Sequence, residues 1–493
     1  MAILNGGVPA AGYTPAPLKQ TLATNYIDFT SGGTGNTNGW AQQYLPDLME
    51  EEAEVFGNRT ISGFLAQVGA EEAMSADQVI WSEQGRLHLS YKKVELSAST
   101  TTGTLTFNAD TTDADGKAAT SDTNVVPHGI RAGDMILVSD ADATVRGYVT
   151  SVDTSGTGTA YGKVIFERYD GTNIIASGSL TAGDVSVLVF GSEYAKGKEG
   201  RVGANAPQHL SRTNKPIILK DKYEISGSDA AQIGWVEISG EDGQNGYMWY
   251  LKAAGDTKSR FADYCEMAML EAVDGPGTTS GGHRGGSITG TEGLFDALET
   301  RGNVANTMTA MSDYDELIHE LDANGAIEEN MMFMDRTTSL QLDDILAAQN
   351  SYGSGGTSYG VFNNSEDMAL NLGFTGFRRG SYDFYKSDFK YLNDASTRGL
   401  INSTDTANAI RGILIPAGVS TVYDQGLGRN IKRPFLHVRY RASQMESRKM
   451  KSWTTGSVGA LTSDLDAMEM HMLSERCLVT QGANNFVLFK GAA

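Results

Sequence analysis

YMWYLKAAGDTKSRFADYCEMAMLEAV, residues 247–273, followed by Asp274-Gly275-Pro276, is the stretch on which the reading of the fold turns. Leu251, Ala254, Phe261, Cys265, Ala268 and Ala272 recur along it at the three-then-four spacing of one helical face, broken by Lys258. Gly275 can take a left-handed cap and Pro276 cannot continue a helix, so the stretch predicts one long helix that ends there. At 1.5 Å per residue such a helix spans ~40 Å, well over twice the usual length. Taken alone it is a long core helix. Its place between a strand-rich first half and a mixed second half also suits a flat, tiling subunit, so shape precedes chemistry as the first candidate for function.

The whole chain has 493 residues, enough for two to four compact units. Hydrophobic residues make up 40% and charged residues 20%, the balance of a folded, soluble chain rather than a disordered one. No apolar run approaches the ~20 residues of a membrane span, and the start lacks a basic region before an apolar stretch, so neither membrane nor signal peptide is expected. Cys265 and Cys477 are too few for a disulfide framework, which fits a reducing compartment. The net charge of −21 argues against tight phosphate binding, which needs a basic footprint. The 58 glycines against 10 prolines fit many short strands with loose connections.

Outward from the helix, the organisation divides as follows. Residues 1–75 read as an extended arm, with a Gly/Asn-rich loop at 31–39 and a helical stretch near 44–56; such an arm is usually ordered by a neighbour. Around 78–96, Val79 and Trp81 alternate, Glu83-Gln84-Gly85-Arg86 looks like a turn, and Leu87, Leu89 and Tyr91 alternate again. This is a candidate β-hairpin, unstable without further strands or another subunit. The segment 100–195 reads as an inserted β-domain, a small barrel or sandwich, from Ala132-Gly-Asp-Met-Ile-Leu-Val138, Tyr148-Val-Thr-Ser-Val152, Lys163-Val-Ile-Phe166 and Ala182-Gly-Asp-Val-Ser-Val-Leu-Val189. Extended structure returns over 196–242, at Pro216-Ile-Ile-Leu219 and Tyr223-Glu-Ile225, before the helix of 243–275. Beyond it, 276–493 reads as an α/β region with helices at 311–321 and 339–349 and strands at 331–334, 410–415, 435–440 and 485–489.

Signals for chemistry are weak. Walker, nucleophile-elbow and zinc-helix motifs are missing, and Gly353-Ser-Gly-Gly-Thr-Ser-Tyr-Gly360 does not open a helix from a strand. Asp113, Asp115, Gly116 and Asp122 match only part of a calcium loop, because Thr111 takes the first ligand position and Asp replaces the bidentate Glu. Met470, His471, Met472 and Cys477 are soft ligands in an apolar stretch and read as core packing. No catalytic residue, cofactor or metal is therefore expected.

A charged constellation is more informative. Arg429, Lys432, Arg433, Arg439, Arg441, Arg448, Lys449 and Lys451 lie together, with Glu446 the one acid among them. In a strand, Leu436, Val438 and Tyr440 share one face and His437, Arg439 and Arg441 the other. That basic face is either solvated or meets an acidic surface of a neighbouring copy, such as Asp313, Asp315, Glu316, Glu320, Asp322, Glu328 and Glu329. Direct DNA binding ranks third. The intersubunit reading expects Arg439→Glu to leave the monomer folded, impair assembly, and be partly rescued by charge reversal on the acidic side.

The order of arm, hairpin, inserted β-domain, long helix and α/β body resembles the major capsid protein of tailed bacteriophages, the Hong Kong 97 phage fold. Val79-Ile-Trp-Ser-Glu-Gln-Gly-Arg-Leu87 is similar to the hairpin entry of some members, Tyr223-Glu-Ile-Ser-Gly227 to the strand before the spine helix, and Glu266-Met-Ala-Met-Leu270 to that helix's end. The resemblance implies an α+β fold with N-terminal arm, an extended hairpin loop whose first part is 76–99 and whose return, with a strand into the peripheral domain, is 196–242, a spine helix, peripheral and axial domains, and an inserted small β-barrel or sandwich. It further implies hexameric and pentameric capsomers in an icosahedral virion shell, assembled in the host bacterial cytoplasm and enclosing double-stranded DNA without sequence-specific binding. Portal, scaffold and possible decoration proteins are the implied partners; with no charged coiled-coil-like N-terminal segment, the scaffold is expected to be a separate protein. Candidate assembly contacts are Trp81, Glu83, Arg86, Arg433, Arg439, Arg441, Asp313, Glu316 and Glu320. The competing classes are another virion or compartment-shell component, a tail subunit, and a carbohydrate-active enzyme whose β-insertion binds sugar.

Overall fold

The computed structural model describes residues 64–65, 70–86, 88–98, 101–114, 128–153, 162–175, 180–200, 209–232, 237–239, 245–274, 290–325, 327–349, 376–417, 419–424, 429–458 and 461–491. The arm loop at 31–39, the helical stretch near 44–56, and the loops at 281–286 and 353–360 fall outside these residues, as do Asp115, Gly116 and Asp122. The described chain forms two units. One is Trp81–Arg212; the other comprises the described residues on either side of it.

In the larger unit, the long helix is Met248–Glu271. Its buried face is Thr257, Phe261, Cys265, Glu266, Met269 and Leu270. Met269 and Leu270 take the place that the alanine-based reading gave to Ala268 and Ala272, which are only half-buried. Phe261 and Cys265 pack on Met472, Leu219 and Met470. These belong to a five-stranded sheet ordered Ala70–Met74, Leu436–Arg441, Ala467–Thr480, Ile217–Ser226, with Lys451–Gly456 also on Ala467–Thr480. All its pairings are antiparallel except that of Ala70–Met74 with Leu436–Arg441. The two short extended runs expected at 216–219 and 223–225 are one continuous strand.

The helix ends inside a second core. Met269 and Leu270 share a cluster with Leu436, Val438 and Leu478 of the first sheet and with Phe333, Ile413 and Leu488 of a six-stranded one. That sheet runs Asn303–Ala305, Val487–Lys490, Ile410–Pro416, Glu329–Met334, Tyr382–Asp388, Gly376–Arg379. Within these strands residues 412–416 and 331–334 are unbroken runs without a polar side chain, because both faces are covered there. Helices Met311–Ala323 and Arg336–Gln349 cover one face through Leu317, Leu321, Leu342 and Leu346, against Met332, Met334 and Leu414. Helix Leu294–Arg301 covers the other with Phe295 and Leu298. Helix Arg336–Gln349 starts where the Asp335 carboxylate accepts the Thr338 N–H at 2.9 Å, satisfying one of the free donors of the first turn. The Glu271 carboxylate, at the far end of the long helix, accepts the Tyr391 hydroxyl at 2.7 Å and pairs with Arg398.

The smaller unit is a closed barrel. Ser90–Ala98, Thr102–Phe107, Gly162–Arg168, Thr144–Asp153, Asp134–Ser139 and Gly183–Ser192 pair in that order, and the last returns to the first. Closure removes the exposed sheet edges. Leu96, Leu105, Phe107, Ile136, Val149 and Phe166 fill its interior with essentially no exposure.

The candidate hairpin at 78–96 is corrected. Val79–Gln84 pairs with His209–Asn214, and Ser90–Ala98 belongs to the barrel wall. Tyr91, Val94 and Leu96 find a closed core there, which a two-stranded ribbon cannot offer. A register shift after Tyr91, with Lys93 at φ 57°, keeps Val94 and Leu96 pointing inward.

Candidate assembly surfaces

Leu436 and Val438 of the basic strand lie in the core as the alternation predicts, while His437, beside Arg439 on the other face, is buried as well. Its charges are engaged by acids of the same chain. Arg439 pairs with Glu72 at 3.0 Å, Arg441 with Asp77 and with Glu475 at 3.1 Å, and Arg448 with Glu475 at 3.1 Å. Lys449 pairs with Glu71, and Lys451 with Glu446 at 2.6 Å. Asp77 and then Glu475 raise the Arg441 pKa, and Lys451 holds the Glu446 carboxyl below its usual range. The parallel strand Ala70–Met74 makes this possible: Glu72 is the register partner of Arg439, so the two side chains share a face. Glu475 is the deepest of these acids, its side chain 5% exposed.

Apart from the local Lys451–Glu446 pair, this network fell outside the sequence reading because its acids lie some 360 residues before, or on a different strand from, the bases they meet. The one available signal was the pair Glu71-Glu72 within a short alternating segment. Arg433 lies on Arg429–Pro434, which pairs with Val419–Asp424; its side chain is outside the described set.

The acidic helix divides its residues between two roles. Asp313 accepts the N–H groups of Thr309 at 2.8 Å and Ala310 at 3.0 Å, closing the helix start. Those bonds lower its pKa. Asp315 grips Arg379 through two 2.7 Å bonds, which lower the Asp315 pKa. Asp322 accepts the Tyr382 hydroxyl at 2.7 Å. Glu316 and Glu320 stand exposed on the outer side. The structure therefore does not bring Arg439 or Arg441 together with Asp313, Glu316 or Glu320 within one chain.

Trp81 is buried and donates its indole N–H to Glu83 at 3.1 Å, while Glu83 lies 3.7 Å from Arg212. Arg86 is exposed. On the paired strands, Ile80 is 65% and Leu210 52% exposed.

The soft-ligand residues act as packing. Met470 and Met472 face the long helix, and Cys477 is buried, its thiol pKa pushed up to about 12 by desolvation. His471 stacks on Trp453 with ring centroids 5.2 Å apart and lies 2.7 Å from the Thr455 hydroxyl. Among the described residues, no three His, Cys, Asp or Glu side chains stand where they would hold a metal ion, and no helix is long and apolar enough to cross a membrane.

No protein-family model matches the sequence, and no curated protein does. Solved structures do align with it. "Capsid structure of the Cyanophage P-SCSP1u" aligns over 95% of this chain and 99% of its own, at 9% identity and a TM-score of 0.38. A chain from Microbacterium phage Oxtober96 covers 90% of this chain and 96% of its own, at 10% identity and TM-score 0.36. "Capsid of empty GTA particle computed with C5 symmetry" covers 90% and 100%, at 9% identity and TM-score 0.34. At such values the likeness carries no argument by itself.

Proposed function

We propose that this chain is the major capsid protein of a tailed double-stranded DNA bacteriophage, building hexamers and pentamers of an icosahedral head. The observation that carries the reading is the Met248–Glu271 helix, which lies across one sheet through Phe261 and Cys265 and ends in a core shared with a second. One helix thereby packs on a five-stranded sheet and on a three-layer α/β body, as a spine helix would. In this reading the first sheet is the peripheral domain, the six-stranded body the axial domain, and the Val79–Gln84 and His209–Asn214 strands the legs of an extended loop. Such a ribbon is marginal alone and gains stability from a neighbour, which accounts for exposed Ile80 and Leu210. The net charge of −21 suits a wall that encloses DNA without gripping it. The printed names of the aligned structures agree with the proposal.

Within it, Glu316, Glu320 and Arg86 are the candidate contacts whose side chains are exposed, and portal, scaffold and decoration proteins are the partners. Co-expression with candidate scaffold and portal proteins tests it. The proposal expects rapidly sedimenting particles that protect DNA from nuclease once packaged. Sugar-polymer hydrolysis by a non-sedimenting chain would overturn it in favour of the enzyme class.

A further inference from the structure

One patch of the barrel's outer wall is apolar where a wall facing water is polar, although Ser139, Asp184, Ser186 and Ser192 on the same strands are polar. In Asp134–Ser139 and Gly183–Ser192 the inward residues Ile136, Val138, Val185 and Val187 are buried, as they must be. The alternate, outward residues Met135, Leu137, Leu188 and Phe190 are apolar too. Leu137 and Leu188 are register partners, and Met135 opposes Tyr148 on the next strand. Leu188 remains 38% and Phe190 48% exposed. A stretch apolar on both faces is the pattern of one covered on both faces, and the closed barrel covers only one.

Tyrosines extend this patch at one end. Tyr148 meets Tyr169 edge to face at 6.5 Å, and the half-exposed Tyr169 donates its hydroxyl to Glu193 at 3.0 Å. Glu193 also gives its N–H to the Gly133 carbonyl at 2.9 Å. The Tyr194 ring lies on Gly133, whose φ is +93° and where a Cβ would stand 2.8 Å from the ring. A glycine is required there, and it fixes the tyrosine as a platform. Leucine, methionine and phenylalanine with tyrosines at the margin is the make-up of an interface centre, whereas a sugar platform would not need the aliphatic part.

We propose that this wall packs against the same wall of a second copy of the chain in a two-fold contact. Charge placement selects that occupant. Exposed Arg146 is the register partner of Leu137, and exposed Glu193 stands beyond Met135 at the tyrosine end. Two walls laid antiparallel set each Arg146 toward the other copy's Glu193, so the patch complements itself. A uniformly acidic or basic partner would face a like charge at one end. The inference rests on the shell reading only for the abundance of copies.

The test replaces Leu188 with the photo-cross-linker p-benzoylphenylalanine in particles assembled from equal amounts of light and heavy-nitrogen chains. Cross-linked peptides joining light to heavy barrel walls are expected. Arg146→Glu should reduce them about a hundredfold, because the two-fold axis repeats the contact and two charge pairs are lost at about tenfold each, and adding Glu193→Arg should restore them. Cross-links within one chain, to a different protein, or to nothing would each overturn the proposal. Particles that form without wall-to-wall cross-links would sink this contact and leave the shell reading standing. If no particles form, the same cross-linking of the soluble chain still decides the contact.

Discussion

Glu475→Gln removes one negative charge from a site that is 5% exposed and holds Arg441 and Arg448, each 3.1 Å away. At that distance and an effective dielectric of about 20, each pair attracts by about 5 kcal/mol before desolvation is counted. Both guanidinium groups are 31% exposed, so water recovers part of the loss, and Arg441 keeps Asp77. Breaking one partner of a buried pair usually costs about 3–5 kcal/mol, and the partial exposure places this case at the lower end, about 3 kcal/mol. Hydrogen exchange of the unassembled chain reads it directly: amides of Ala467–Thr480 and Leu436–Arg441 should exchange more than about 100-fold faster. A change below about threefold, with assembly nonetheless lost, would refute the view that these bases serve the subunit's own sheet. It would return them to the intersubunit role. The same geometry revises the expectation for Arg439→Glu, which would set a carboxylate against Glu72 and loosen Ala70–Met74 before any neighbour is met.

Three further outcomes are expected. Phe64, stacked on Phe389 at 4.3 Å and edge-on to Phe333 at 4.8 Å, should lose about 3–4 kcal/mol of chain stability as Phe64→Ala in urea unfolding. His128 is buried against Phe107, and desolvation lowers its pKa to about 4 from 6.5. The folded barrel thus binds its proton later than the unfolded chain does. Stability should be whole above pH 6.5 and fall by about 3 kcal/mol as pH drops through 4, a loss that acid titration of His128→Phe should not show. Gly133→Ala should displace Tyr194 and cost about 1–3 kcal/mol, seen as a lower barrel Tm, because φ is +93° and the ring occupies the Cβ position.

Local pattern made much of the fold legible. The helix of 247–273, the strands of 163–166 and 331–334 and the helix of 311–321 stood out because their periodicity comes from the face each buries. The partners of strands were not legible. Local pattern makes Val79–Gln84 half of a hairpin, whereas it pairs with His209–Asn214 more than a hundred residues on, inside the 196–242 return that only the family resemblance implied. The barrel core, rather than turn chemistry, decides where Ser90–Ala98 goes. The same limit applied to the surfaces: the alternation placed Arg439 and Arg441 on one face, where His437 is buried, while Glu71, Glu72, Asp77 and Glu475, which pair with the bases, meet them only through a parallel strand and an antiparallel neighbour. Asp313 offered an acidic residue in a first turn, and its role as a helix-start acceptor was implicit in that position.

Electron microscopy of this chain expressed together with candidate scaffold proteins tests the central claim most directly. The account predicts closed icosahedral shells with this chain as their most abundant protein and the Met248–Glu271 helix as a continuous rod in every subunit. A uniform monomer or small oligomer under those conditions would contradict it.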